Sequence, residues 1–163
     1  MSEQDYEKQL TVQAPAKAVF EALTTTEGLS AWWTPTTGNG LAGGELTFDF
    51  GSPGAQAVMR VDAAEPRSGV RWTSVACHVE DWVGTTLHFD LEPHADGTTG
   101  LRFRHGGLTP RLECFADCKS GWDHFIPSLA AYVETGSGHP SQSPEDLARR
   151  EARARQRESA NAG

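Results

Sequence analysis

From Glu45 to His105 the chain keeps a period of two, and beyond Pro110 it changes to a helical period that holds until Tyr132. Leu46, Phe48 and Phe50 alternate with Glu45, Thr47 and Asp49. Across the turn at 51–54 a second run extends from Gln56 to Ala63, and the turn at 65–69 leads into a third, Val70 to Val79. Leu87, Phe89 and Leu91 make a fourth run, and Leu101, Phe103 and His105 make a fifth, against Arg102 and Arg104. Short strands joined by tight turns pair consecutively, as an antiparallel meander. Phe115, Cys118, Trp122, Phe125, Leu129 and Tyr132 then step by three and four, which puts them on one stripe of a helix. Ile126 and Val133 widen the stripe. A twisted sheet with one apolar face needs a cover, and this helix is the one element long enough to supply it. The expected class is α+β, a curved antiparallel sheet wrapped around a long C-terminal helix.

The flanks complete the order. Tyr6, Lys8, Leu10 and Val12 alternate as a first strand, and Pro15 stands where a first helical residue belongs. Ala18, Val19, Ala22 and Leu23 form a short apolar face. Thr24 and Glu27 have the spacing of a capping box, which predicts a second short helix through Leu29 to Trp33. Pro35 and the glycines at 38, 40, 43 and 44 read as a loop. The long helix ends in Gly136, Gly138 and Pro140. From Ser143 onward Ala and Arg dominate, and Leu147 is the only large aliphatic residue. The reading is one domain over residues 1–140 and a mobile or partly helical tail over 141–163. The tail has no apolar stripe with which to dock, so its deletion is expected to leave stability unchanged.

Several residues carry a family resemblance. The run from Val12 to Leu23 followed by Trp32 and Trp33 resembles the opening of the SRPBCC superfamily, also called START-like or Bet v 1-like. Within it, the likeness is to the branch named after activators of the Hsp-90 ATPase. Glu113, Cys114, Cys118, Gly121, Trp122, Ser128, Leu129, Tyr132 and the stretch Glu134 to Gly138 agree with the ending. The resemblance covers about residues 6–140 and leaves the tail out. It implies the helix-grip fold, with two short helices after strand 1 and a cavity for an apolar or amphipathic small molecule. It implies no single activity, because the superfamily mixes carriers, polyketide cyclase-like enzymes and co-chaperone domains.

Charge narrows the partners. Net charge is −8, and residues 1–138 hold nine Lys and Arg against eighteen Asp and Glu. An acidic body repels phosphate backbones, so nucleic acid is not an expected partner. No signal-like apolar segment opens the sequence and no apolar run is long enough to span a membrane, so the cytoplasm is the expected location. Cys77, Cys114 and Cys118 are too few for a disulfide framework. Cys114 and Cys118 share a helix side, but no second Cys/His pair completes zinc spacing, so neither metal nor cofactor is expected. No nucleophile elbow or phosphate loop is present in the sequence.

The expected ligand site lies between sheet and helix. Leu46, Phe48, Phe50, Trp72, Phe89, Phe103 and His105 form its sheet side, Trp122, Phe125 and Leu129 its helix side, and Trp33 its rim. Gly121 is read as permitting close approach of the helix to the sheet. His105 is in phase with the apolar face and needs a partner there. It is the one inward candidate for acid–base chemistry, against the alternative of a histidine bonded to a backbone carbonyl. The leading reading is a binding domain for a small hydrophobic molecule. The rivals are a cyclase- or hydrolase-like enzyme using the same cavity, and a protein-interaction module, either a chaperone partner or a homodimer.

Overall fold

A computed structural model describes residues 5–51, 53–112 and 115–162, with side-chain surroundings given as far as residue 159. Its elements run β1 (Tyr6–Val12), α1 (Ala16–Thr24), α2 (Thr26–Trp32), β2 (Thr36–Gly38), β3 (Glu45–Asp49), β4 (Gln56–Glu65) and β5 (Gly69–Cys77). A 3-10 turn (Glu80–Trp82), β6 (Thr86–Pro93), β7 (Thr99–Gly106), α3 (Phe115–Thr135) and α4 (Pro144–Ala162) complete the chain. The strands form one antiparallel sheet in the order β1-β7-β6-β5-β4-β3-β2. This is the helix-grip fold: a meander closed by β1, which returns to pair with the last strand.

Register explains why one face is apolar from edge to edge. Val61, Trp72, Leu87, His105 and Tyr6 are successive partners across five strands, and Val70, Phe89 and Phe103 form the row beside them. Apart from His105 these are buried hydrophobic side chains. Two register shifts interrupt the β4–β5 pair, at Val58/Met59 and Val61/Ala63, and such irregularities bend and twist a strand. The opposite face carries Arg102, paired with Glu7 at 2.7 Å, and Arg104, within 3.5 Å of Asp5. α3 buries Trp122, Phe125, Ile126 and Leu129 against the inner face. It is tied to β1 where Tyr6 Oη donates to Asp123 Oδ1 at 2.5 Å.

Four local expectations change. The second helix is capped by Thr25, whose hydroxyl accepts from Gly28 N, so the capping residue lies one position later than the Thr24 and Glu27 spacing suggested. Thr36–Gly38, read as loop, is a short edge strand paired with β3, because backbone pairing and not side-chain alternation recruits it. A Cβ built at Gly121 would meet no described atom beyond its own helix within 4 Å, so this glycine is not needed for close helix–sheet approach. The segment after Ser143 is helix α4, and its Asp146 is fully buried with Arg149 and Arg150 at 2.7 and 2.9 Å. Docking here works through charge where the sequence showed no apolar stripe. Glu113 and Cys114, two residues of the family resemblance, lie outside the described residues, as does any pairing of Cys114 with Cys118.

Candidate functional site

The free end of the sheet and the first half of α3 do not close on one another. Between them is a cleft of about 550 Å³. Phe50 and Ala55 of the β3–β4 hairpin form one wall, and Cys77 at the end of β5 with His78, Val79 and Trp82 after it forms the next. Asp117, Cys118, Gly121, Trp122 and Phe125 of α3 stand opposite, with Trp33 at the base and Arg150 of α4 at the side. The volume lies within the ordinary range for small-molecule sites, and the walls are mostly aromatic.

Ring geometry fixes those walls. Trp33 is 2% exposed and lies 4.4 Å from Phe48, 5.0 Å from Trp122 and 5.8 Å from Phe50, centroid to centroid. Trp82 stacks on Trp122 at 5.9 Å with an interplanar angle of 18°, and its indole N–H donates to Cys118 Sγ at 3.2 Å. Aromatic pairs at such separations are rigid surfaces with little side-chain entropy left to lose on binding.

Of the eleven residues expected to line the site, Trp33, Phe50, Trp122 and Phe125 do so. Leu46, Phe48, Trp72, Phe89, Phe103, His105 and Leu129 are fully buried and do not line the cleft. The strand alternation placed them on the inner face, but the inner face over most of its length is solid core. Phe89, for example, sits 4.8 Å from Phe103 and 5.1 Å from Trp72. Two buried polar atoms, Trp72 Nε1 and Ser74 Oγ, have no hydrogen-bond partner among the described residues.

His105 is a special case because its bonding is complete. Trp122 Nε1–H donates to His105 Nδ1 at 3.0 Å, which makes Nδ1 an acceptor. Nε2 must then carry the proton, and it meets Thr85 Oγ1 at 2.8 Å. Thr85 in turn donates to the Trp82 carbonyl at 2.5 Å. The neutral ring therefore fits a chain of three bonds, and neither nitrogen remains for a ligand. Burial, with a smaller push from His88, holds the imidazole pKa down to about 3. Protonation would also set an N–H against the indole N–H of Trp122. As an acid–base residue at neutral pH it has nothing to offer. Its partners are side chains rather than the backbone carbonyl expected from sequence.

Sequence reasoning missed Trp82, Cys77, His78, Gly121 and Arg150 as wall residues. Trp82 sits in a 3-10 turn between two strands, where no periodicity marks its direction. Cys118 was visible on the helical stripe, and Asp117 and Gly121 flank that stripe. For Arg150 no local signal existed, since its placement depends on where α4 docks.

A family model described as Activator of Hsp90 ATPase homolog 1-like protein matches residues 13–134, well over half of the chain. The chain belongs to that family. Among solved structures, the Aha1 dimer from Colwellia psychrerythraea is 29% identical with a TM-score of 0.72, covering 85% of this chain and 100% of that one. DynU16, from the dynemicin biosynthetic locus, is 28% identical with a TM-score of 0.63. That match covers 81% of this chain but 48% of DynU16, so this chain spans about half of its length. CalU16 from Micromonospora echinospora, 15% identical with a TM-score of 0.64 over 94% of both chains, shares the fold. No curated protein matches the sequence. For this Hsp90 ATPase activator homologue-like chain the family match ends at residue 134, so the wall residue Arg150 and all of α4 lie beyond it. No helix among the described residues is long and apolar enough to cross a membrane.

Proposed function

We propose that this chain binds a small hydrophobic or amphipathic molecule in the aromatic cleft between the sheet's free end and α3. The observation that carries the reading is Gly121. A glycine inside a helix costs about 1 kcal/mol relative to alanine. Packing against other elements does not require it here, since a Cβ at this position would meet no described atom beyond its own helix within 4 Å. The room left by the missing side chain belongs to the cleft, whose wall Gly121 helps to form. A helix that forgoes stability to keep a space open is consistent with a space that is filled by something else.

The test is a titration with an environment-sensitive apolar dye, which should saturate with an affinity on the order of micromolar. Gly121→Leu should then abolish binding while leaving the melting temperature unchanged or higher, because it fills the cleft and improves helix propensity. No saturable binding by the wild type, or undiminished binding by Gly121→Leu, would reject the reading.

A second reading has one observation in its favour: the relative from Colwellia psychrerythraea was solved as a dimer. On that basis the chain is proposed to self-associate. Light scattering across a concentration series checks this, and a single monomer mass at every concentration rejects it.

A further inference from the structure

The cleft is apolar along its walls but not at the edge that α4 provides. Arg150 lines it there, held by Asp146 through Nε at 2.9 Å and by Ser141 Oγ through Nη2 at 3.1 Å. Its Nη1 has no partner among the described residues. Asp117, the one carboxylate among the described wall residues, is doubly occupied, with Arg153 and Arg157 each at 2.8 Å. Those guanidiniums hold its pKa below the usual carboxylate range, so it stays ionised and paired. Asp146 is likewise shared between Arg149 and Arg150. Among the described residues, four guanidiniums of α4 therefore share Asp117 and Asp146, and Arg150 is the one of the four that lines the cleft. The surplus is positive in a chain whose net charge is −8.

We infer that the ligand of this cleft is an amphipathic anion, an apolar body ending in a carboxylate, with the carboxylate held at Arg150. This rests on the cleft being a binding site, and it adds the charge class of the ligand and the residue that reads it. A guanidinium pre-set by Asp146 and Ser141 loses little freedom on accepting a carboxylate, and such charge-assisted bonds are stronger than neutral ones. α4, which lies beyond the family match, thereby becomes part of the recognition surface.

The experiment compares dodecanoate with 1-dodecanol at about pH 8, where the acid is fully ionised. The two share a chain length and differ in head-group charge. Wild type should prefer dodecanoate by about tenfold or more. Arg150→Gln should lose that preference while still binding 1-dodecanol. Arg155→Gln should keep it, since Arg155 pairs with Glu151 on the exposed side of α4 and removes the same net charge. Because Arg150→Gln also takes a partner from Asp146, wild-type binding is measured at low and high salt as well. Salt should weaken dodecanoate and spare 1-dodecanol. Equal affinity of wild type for both ligands, a preference indifferent to salt, or a preference retained by Arg150→Gln overturns the inference. If 1-dodecanol binds without any preference for dodecanoate, the cleft reading survives and only its charge assignment falls. If neither ligand binds, both fall together.

Discussion

His105 shows how a residue's neighbours decide its chemistry. Inward-facing histidines attract catalytic interpretations, yet here Trp122 and Thr85 occupy both ring nitrogens in one tautomer. The pH consequence follows directly. The native ring has a pKa of about 3, whereas an unfolded histidine titrates near 6.5. The unfolded state takes up a proton that the folded state refuses, so His105 contributes its full stabilisation above about pH 6.5. That contribution is lost as pH falls from there toward 3, at up to about 1.4 kcal/mol per pH unit. Urea denaturation of wild type and His105→Gln between pH 7 and pH 4 should show a flatter acid limb for the variant. Parallel limbs would mean that the ring is protonated in the native state. At pH 7 the variant should be less stable by about 1–3 kcal/mol, the usual result of disturbing a buried hydrogen-bonded group.

Among the elements, α3 is the one on which sheet, cleft and α4 all depend. Its stripe was legible because steps of three and four are hard to reconcile with anything but a helix. Trp122 is the stripe's central residue, 2% exposed, with ring neighbours Trp33, Trp82, Phe103 and His105. Trp122→Ala should cost about 3–5 kcal/mol, the range for truncating a buried large aromatic. An unchanged urea midpoint would refute its place in the core. The sheet strands were equally legible, since alternation sets which side chains point inward. Strand β2 was not, because three residues recruited by backbone pairing leave no pattern to read. α4 escaped for a different reason. Its contacts to α3 are ion pairs from Arg153 and Arg157 to Asp117 and a hydrogen bond from Arg149 to Ser120 Oγ, and interleaved Arg and Glu look the same whether they meet solvent or another helix.

At the scale of the whole molecule, α4 changes what truncation should do. Deleting residues 143–163 removes the buried Asp146 cluster and the arginines that hold Asp117. The expected cost is about 1–2 kcal/mol, modest because several of these pairs are solvent-screened. A melting temperature a few degrees lower follows for a chain of this size. The difference between full-length and truncated chains should shrink in high salt. Equal melting temperatures at low salt would restore the reading of the segment as an undocked tail.

The sequence alone determined the fold class, the order of strands and helices from β3 to α3, and which side chains of those elements face inward. Those depend on periodicity, and periodicity is written locally, one turn or one pair of residues at a time. It also marked Trp33, Phe50, Trp122 and Phe125 as facing the space between sheet and helix. Only the tertiary structure decided which part of that space is solid and which is open. Phe48, Trp72, Phe89 and Phe103 fill the interior through ring contacts between four different strands, a matter of volumes summed across the sheet. The cleft is what that filling leaves over. Its boundary passes through a 3-10 turn, a helical glycine and an arginine on a helix held by charge, and none of these announces its direction in a pattern of hydrophobic residues.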